Sequence, residues 1–191
     1  MKVIFLDFDG VLNSQTSFLY EHNRRKVHKE QGVKGNVNET LSPHCCAAFQ
    51  EVLNKYPDVK VVLSTTWREM FDLEWLKAKL SEYKIDSSRV IGKTPVNGKR
   101  GLEIQVWLDQ HPEVTHYVAI DDNDWHISAY HGKDRFVHTD WDRGMGVDHA
   151  IELMEKLSTN NQKAVEERLA KEKAAREEEA KKPKTKMDND F

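Results

Sequence analysis

Two stretches of this sequence place paired carboxylates directly after an apolar run. Asp7 and Asp9 follow the apolar residues 2–6, and Asp121 and Asp122 end a second such run. Short apolar runs predict buried strands, and open α/β sheets bind their ligands at the carboxyl ends of the strands. Like charges gathered at one sheet edge repel each other, and a cation between them stabilises the group. The pattern predicts a divalent metal site, and Mg2+ suits it because this ion takes few carboxylates together with water and phosphate oxygens.

A third strand end carries hydroxyl groups. Ser64 and Thr65 follow the apolar residues 59–63 and precede a predicted helix. Side-chain hydroxyls and the free N–H groups of a helix N-terminus are donors that suit a phosphate oxygen. Thr66 and Glu69 fit a capping box, which assigns the Thr66 hydroxyl to the helix. Ser64 and Thr65 remain as alternative phosphate-binding residues.

The framework that positions these residues is a series of predicted strands and covering helices. Ser42-Pro43 predicts a helix start, with the serine as N-cap and the proline at the first helical position. Apolar residues at helical spacing predict three further amphipathic helices. The predicted strands are 2–6, 59–63, 116–120 and 136–140, and residues 90–92 are predicted as a short strand or a turn. The predicted helices begin near residues 42, 66, 99 and 147.

Length and composition fit one catalytic domain. The 191 residues, 38% of them hydrophobic, are enough for one domain with a core and leave little room for a second. The net charge of -3 argues against a general nucleic-acid binder, although a local basic groove is compatible with it. Cys45 and Cys46 are adjacent, which is too strained a spacing for a structural disulfide, so free thiols are expected. The lack of a long apolar segment predicts a soluble, cytoplasmic protein with no membrane partner.

The segment Asp7-Phe8-Asp9-Gly10-Val11 resembles the first motif of the haloacid dehalogenase-like (HAD) phosphohydrolases. In that family the first aspartate attacks phosphorus and forms an aspartyl-phosphate, which is a form of nucleophilic catalysis. The second aspartate protonates the leaving oxygen and then activates water. The resemblance therefore implies that Asp7 is the nucleophile and that Asp9 is the general acid and base.

The third HAD motif is a basic residue at the start of a helix, where it neutralises the phosphate and the nucleophile. By this resemblance Arg100 is the first candidate, Lys99 the second and Lys93 the third. Glu103 lies one turn along the helix and is expected to orient Arg100.

The second and fourth HAD motifs are matched as well. The second motif is a serine or threonine directly after a strand, which implies a phosphate-binding role for Ser64 or Thr65. Asp121-Asp122 is similar to the fourth motif, whose aspartates bind Mg2+. The metal ligands that the four motifs imply together are Asp7, Asp9, Asp121 and Asp122.

The resemblance covers about residues 1–157 and implies the fold class and the domain organisation. The expected fold is α/β, a HAD-like Rossmannoid three-layer sandwich with a central, mainly parallel sheet. Residues 14–40 are expected to form a flap or small cap inserted after the first strand. Residues 158–191 are rich in lysine, glutamate and alanine and are expected to form a charged helical or disordered tail.

A subgroup resemblance suggests a substrate. The hydroxyl-rich stretch before Trp67-Arg68, and Arg100-x-x-Glu103 with the following helix, resemble HAD domains associated with RNA-repair and phage proteins. This implies a Mg2+-dependent phosphomonoesterase that acts on nucleic-acid ends as a polynucleotide 3′-phosphatase. A nucleotide or small-metabolite phosphatase is the alternative. A non-catalytic module that binds phosphate or nucleic acid is the alternative from another class, and the sequence makes no prediction of oligomeric state.

Overall fold

A computed structural model describes residues 1–20 and 40–158 of the chain. Within them, five parallel strands form one sheet in the order β3-β2-β1-β4-β5. This order puts the first strand in the centre, between the two strands that the sequence marks with polar ends. The strands are β1 (Lys2–Leu6), β2 (Val59–Leu63), β3 (Val90–Lys93), β4 (His116–Asp121) and β5 (Phe136–His138).

Helices cover both faces of the sheet. Residues 15–20 are helical, and the described part of the chain also has short 3-10 helices at Thr66–Glu69, Ser87–Arg89 and Lys133–Arg135. The short helix Ile127–His131 was not expected from the sequence, because five residues are too few to show a helical period. The α-helices of the sandwich are α1 (Pro43–Lys55), α2 (Leu73–Glu82), α3 (Arg100–Asp109), the short α4 (Ile127–His131) and α5 (Val147–Ser158).

The start of α1 confirms the prediction made for it. The Ser42 side chain accepts a hydrogen bond from the backbone N–H of Cys45, and Pro43 occupies the first turn, where its missing N–H costs nothing. Cys45 and Cys46 are both free and buried, as expected.

The two faces of the sheet bury separate cores because side chains alternate along a strand. Ile4 and Leu6 pack in the core that α1, α2 and α5 cover. Val3 and Phe5 pack in the core that α3 and α4 cover. The chain is therefore an α/β sandwich of three layers around a wholly parallel sheet, which confirms the predicted fold class.

Parts of two predictions lie outside the described residues. The flap or cap expected at 14–40 falls mostly on residues 21–39, and the tail expected at 158–191 falls almost wholly on residues 159–191. Both stay predictions. Among the residues that the structure describes, no helix has the length and apolar character needed to cross a membrane.

Candidate active site

The residues that follow the strands are held in place by backbone hydrogen bonds that extend the sheet. The backbone N–H of Asp7 donates to the carbonyl oxygen of Ile120 at 3.1 Å, and the N–H of Ser64 donates to the carbonyl oxygen of Leu6 at 2.8 Å. These bonds bring the ends of β2, β1 and β4 together at one edge. The four sequence motifs, which span more than a hundred residues, meet there.

Three aspartates form a compact carboxylate cluster at this edge. Asp7, Asp121 and Asp122 each place one carboxylate oxygen within 4.8 Å of the others. Asp7 and Asp121 are buried, and Asp122 is half-buried. The Oδ1 atom of Asp7 is buried without a hydrogen-bond partner among the described residues. Because oxygen ligands of this kind are those that Mg2+ prefers, the donor set fits this ion.

Burial dominates the electrostatics of the cluster. Removal from water raises the pKa of Asp7 to about 7, against the opposing attraction of Arg100. Burial and the neighbouring Asp7 charge also raise the pKa of Asp121 well above its usual range. The pKa of Asp122 is raised, again mainly by burial. Three carboxylates of this kind favour either protons or a cation.

Arg100 supplies the positive charge of the site. Its Nη2 atom lies 3.9 Å from Oδ1 of Asp7, and its Nε atom lies 3.4 Å from Oδ2 of Asp121. Its Nη1 atom is buried and has no hydrogen-bond partner in the described part of the chain. Lys99 is exposed at the N-cap of α3, and Lys93 Nζ donates to the carbonyl oxygen of Arg68. Of the three basic candidates, Arg100 is the one that reaches Asp7.

A buried ion pair fixes the loop that leads into α3. Nη2 of Arg68 lies 2.5 Å from Oε2 of Glu103, and both side chains are buried. The other oxygen of Glu103 accepts the backbone N–H groups of Asn97 and Gly98 at 2.7 and 3.0 Å. The expectation that Glu103 orients Arg100 directly is therefore wrong, because its carboxylate is engaged by Arg68 and the loop. Glu103 acts instead on the backbone just before Arg100.

The hydroxyls at the end of β2 have distinct partners. Thr65 is the N-cap of the 3-10 helix, and its Oγ1 accepts from the backbone N–H of Trp67 at 3.3 Å. Burial is the main influence on the pKa of the Asp7 carboxyl, and the nearby Thr65 side chain acts in the opposite direction, to lower that pKa. The Ser64 hydroxyl lies 3.4 Å from that of Thr94. The capping interpretation of Thr66 is wrong, because the cap falls one residue earlier and Thr66 is exposed.

Asp9 lies beside the cluster, and neutral donors hold its carboxylate. Asn13 Nδ2 donates to Oδ1 of Asp9 at 2.8 Å, and Trp67 Nε1 donates to Oδ2 at 2.9 Å. The group of three carboxylates does not include Asp9, whose predicted part as a metal ligand stays a prediction. Sequence reasoning missed Asn13 and Trp67 as functional residues. For Asn13 the sequence did offer a signal, because a polar residue directly follows the apolar pair Val11-Leu12.

Gly10 allows Asp122 to approach the first loop. Its φ of +67° lies in the left-handed region that favours glycine, and a Cβ atom there would overlap the Asp122 side chain. The carbonyl oxygen of Gly10 also accepts the hydroxyl of Thr139 at 2.8 Å. The glycine of the first motif thus decides how close the fourth motif can lie.

A parallel five-stranded sheet that gathers aspartates, a threonine and an arginine at its carboxyl edge defines the HAD-like class of hydrolases. The model of the HAD domain in Swiss Army Knife RNA repair proteins matches residues 3–150, and the chain belongs to this family. No curated protein matches the chain.

A solved structure of a bacterial effector domain has a similar fold. The HAD domain of effector protein Lem4 from Legionella pneumophila is 14% identical, with a TM-score of 0.52 and coverage of 82% of this chain and 95% of that one. Its inactive mutant is 18% identical, with a TM-score of 0.48 and coverage of 87% and 97%. At this identity the likeness to the first structure concerns the fold alone.

The raised pKa of Asp7 predicts a pH-dependent effect of Mg2+ on stability. The pKa of Asp7 is about 7 in the folded protein and 3.8 ordinarily. The free energy of unfolding of the metal-free protein should therefore decrease as the pH rises from about 4 to about 7, because ionisation of Asp7 costs more in the folded state. Mg2+ competes with protons for the carboxylates. We expect Mg2+ to raise Tm in thermal unfolding, and to raise it more at about pH 8 than at about pH 5.5. Equal shifts at both pH values would contradict this.

Replacing Gly10 by alanine should weaken the site more than the fold. The added Cβ displaces Asp122, so we expect Gly10→Ala to abolish most of the Mg2+-induced rise in Tm. Gly132→Ala is the matched control, because Gly132 also has a positive φ of +79° but no atom lies within 4 Å of an added Cβ. In both variants, alanine at a positive φ should lower the free energy of unfolding by roughly 1–2 kcal/mol, measured by chemical denaturation. An equal Mg2+ response in the two variants would count against the steric argument.

Proposed function

We propose that this protein is a Mg2+-dependent phosphomonoesterase that acts through a phospho-aspartate on Asp7. The observation that carries the proposal is a pair of buried atoms, Oδ1 of Asp7 and Nη1 of Arg100, that have no hydrogen-bond partner within residues 1–20 and 40–158. Buried polar atoms without a partner are costly, so their presence in one site suggests a ligand that bonds to both. A phosphoryl group beside a metal ion meets this requirement, because it offers oxygens to the arginine and phosphorus to the carboxylate.

In the first step the Asp7 carboxylate attacks phosphorus and the bond from phosphorus to the leaving oxygen breaks. Protonated Asp9 gives its proton to that oxygen, so that an alcohol leaves and Asp9 becomes a carboxylate. Arg100 and the Thr65 hydroxyl hold the phosphoryl oxygens where charge develops. Mg2+ held by Asp7, Asp121 and Asp122 would offset the negative charge of the nucleophile and the phosphoryl group.

In the second step water attacks the phosphorus of phospho-Asp7. Asp9 accepts a proton from the water as the bond between phosphorus and the Asp7 oxygen breaks. Inorganic phosphate leaves, and Asp7 and Asp9 return to their starting protonation states. The two steps need no other reactant, so they balance with water and a phosphomonoester alone.

The proposed substrate is the 3′-phosphorylated end of a nucleic acid. The family to which the chain belongs is described from RNA repair proteins, which supports this substrate class. A cleft of about 120 Å³ adjoins the site, and Arg100 and Trp125 both line it. Trp125 is 51% exposed, on the loop that follows the aspartates of β4. An exposed indole beside a phosphate site suits a nucleobase, because bases stack on aromatic rings.

Asp7→Asn tests the mechanism. The amide keeps the size of the side chain and removes the nucleophile, so we expect Mg2+-dependent phosphate release to fall at least about a thousand-fold. The metal-free variant should be as stable as the wild type or more stable above about pH 7, because a buried charge is removed. Asp58→Asn, which changes an exposed carboxylate just before β2, is the matched control and should keep full activity.

The substrate panel for this assay contains 3′-phosphorylated RNA and DNA oligonucleotides, nucleotides and sugar phosphates, each with Mg2+ and with EDTA. Release from the oligonucleotides alone supports an end-processing enzyme. Release from the small compounds alone would make the protein a nucleotide or metabolite phosphatase. Retained activity in Asp7→Asn would contradict the phospho-aspartate, and a folded wild-type protein without any activity would favour a binding module.

Trp125→Ala tests the stacking surface. Loss of a base–indole contact worth about 1–3 kcal/mol should raise KM for the oligonucleotides about ten-fold and leave KM for sugar phosphates unchanged. Trp125→Phe should recover part of the loss. Tyr130→Ala is the control, because it removes an aromatic ring that is 41% exposed and does not line the cleft. The same KM rise for sugar phosphates would show that Trp125 does not contact a base.

A further inference from the structure

Aromatic rings hold Trp67 in place at the edge of the site. The indole is buried and packs edge-on against Phe8, with ring centroids 5.4 Å apart and planes at 72°. Phe71 and Trp75 lie at 6.1 and 6.3 Å from it. Phe71 and Trp75 also stack on each other at 3.8 Å. A ring packed on several sides cannot change rotamer without displacing its neighbours, so the direction of its one polar atom is fixed.

That polar atom points at Asp9. Trp67 Nε1 donates to Oδ2 of Asp9 at 2.9 Å, while Asn13 Nδ2 donates to Oδ1 at 2.8 Å. Asn13 is fully buried, and its own Oδ1 accepts the backbone N–H of Gly10 at 2.9 Å. Both carboxylate oxygens therefore have a donor that is itself held rigidly. Two bonds of this kind fix the plane of the Asp9 carboxyl group as well as its position.

The two donors are neutral, unlike the arginine that serves Asp7. A neutral donor bonds to a carboxyl group without forming an ion pair. Hydrogen bonds to an ionised acceptor are about twice as strong as bonds between neutral groups. The bond from Trp67 therefore strengthens as Asp9 gives up its proton. It favours the transition state of any step in which Asp9 acts as an acid.

We propose that Trp67 is a positioning residue for general-acid catalysis, and that it aims the Asp9 carboxyl group at the leaving oxygen of the substrate. This inference rests on the proposed function. It assigns to the aromatic cluster of Phe8, Trp67, Phe71 and Trp75 a task beyond core packing. Buried indoles usually find a hydrogen-bond partner, and here the partner is the side chain that must transfer the proton.

Trp67→Phe separates the bond from the packing, because it keeps an aromatic ring and removes the N–H. The measured quantity is kcat/KM, which reports the steps up to departure of the leaving group. For an alkyl phosphate or a 3′-phosphorylated oligonucleotide, whose leaving oxygen needs a proton, we expect a loss of about ten-fold. For p-nitrophenyl phosphate, whose leaving group departs as an anion, we expect less than about a two-fold change.

Trp107→Phe is the matched control, because it makes the same change at a buried tryptophan in the core on the other face of the sheet, away from Asp9. It should leave the ratio of the two kcat/KM values unchanged. A uniform loss on both substrates in Trp67→Phe would overturn the inference, as would no loss on either. If Trp67→Phe unfolds, site-specific replacement of Trp67 by 3-benzothienylalanine keeps the bicyclic ring, lacks the N–H and should give the same leaving-group dependence.

NMR distinguishes failure of the inference from failure of the proposed function. The indole N–H resonance of Trp67 should lie downfield in the wild type and move in Asp9→Asn, because the acceptor of its hydrogen bond changes from a carboxyl group to an amide. A wild type with this resonance but no phosphatase activity would refute the proposed function and, with it, the catalytic role of the bond. If the wild type is active but the Trp67 resonance does not move in Asp9→Asn, the positioning role of Trp67 alone is refuted.

Discussion

The site depends on three carboxylates, two buried and one half-buried, that lie together at the carboxyl edge of the central strands. Asp7, Asp121 and Asp122 repel one another, and removal from water makes each charge less favourable still. Arg100 offsets one charge only. The remaining negative charge must be neutralised by protons or by a cation. A phosphoryl ligand, which is itself negative, also needs this positive charge beside it. The repulsion among these carboxylates and their capacity to bind a cation therefore have the same physical origin.

Arg100 can serve this site only because the chain before it is fixed. The buried pair of Arg68 and Glu103 joins the end of β2 to the first turn of α3, and Glu103 also accepts two N–H groups of the preceding loop. Arg68 adds bonds to the carbonyl oxygens of Thr65, Thr94 and Pro95. Removing one partner of a buried pair typically costs about 3–5 kcal/mol, because the other charge remains buried. The contacts of Arg68 and Glu103 therefore keep Arg100 in its position beside Asp7.

The two aspartates of the first loop lie in different environments, although one residue separates them. Asp7 faces an arginine and two carboxylates, whereas Asp9 faces an indole and an amide. Groups with such different neighbours can take different chemical roles, as a nucleophile must stay charged and an acid must carry a proton. Alternation puts Asp7 and Asp9 on the same side of the chain while Phe8 enters the core. The difference therefore arises from the neighbours that other elements supply, Arg100 to Asp7 and Trp67 to Asp9.

Sequence alone determined the strands and the aspartates that follow them, because apolar runs and the residues that end them are local features. The start of α1 at Ser42-Pro43 was predictable for the same reason. Tertiary structure decided which candidates lie near Asp7: Thr65, whose side chain influences the pKa of the Asp7 carboxyl, and Arg100, which lies between the carboxylates of Asp7 and Asp121. It also decided that Trp67 meets Asp9 across 58 residues of sequence. Such pairings follow from strand order and register, and no local pattern encodes the distance between side chains on different strands.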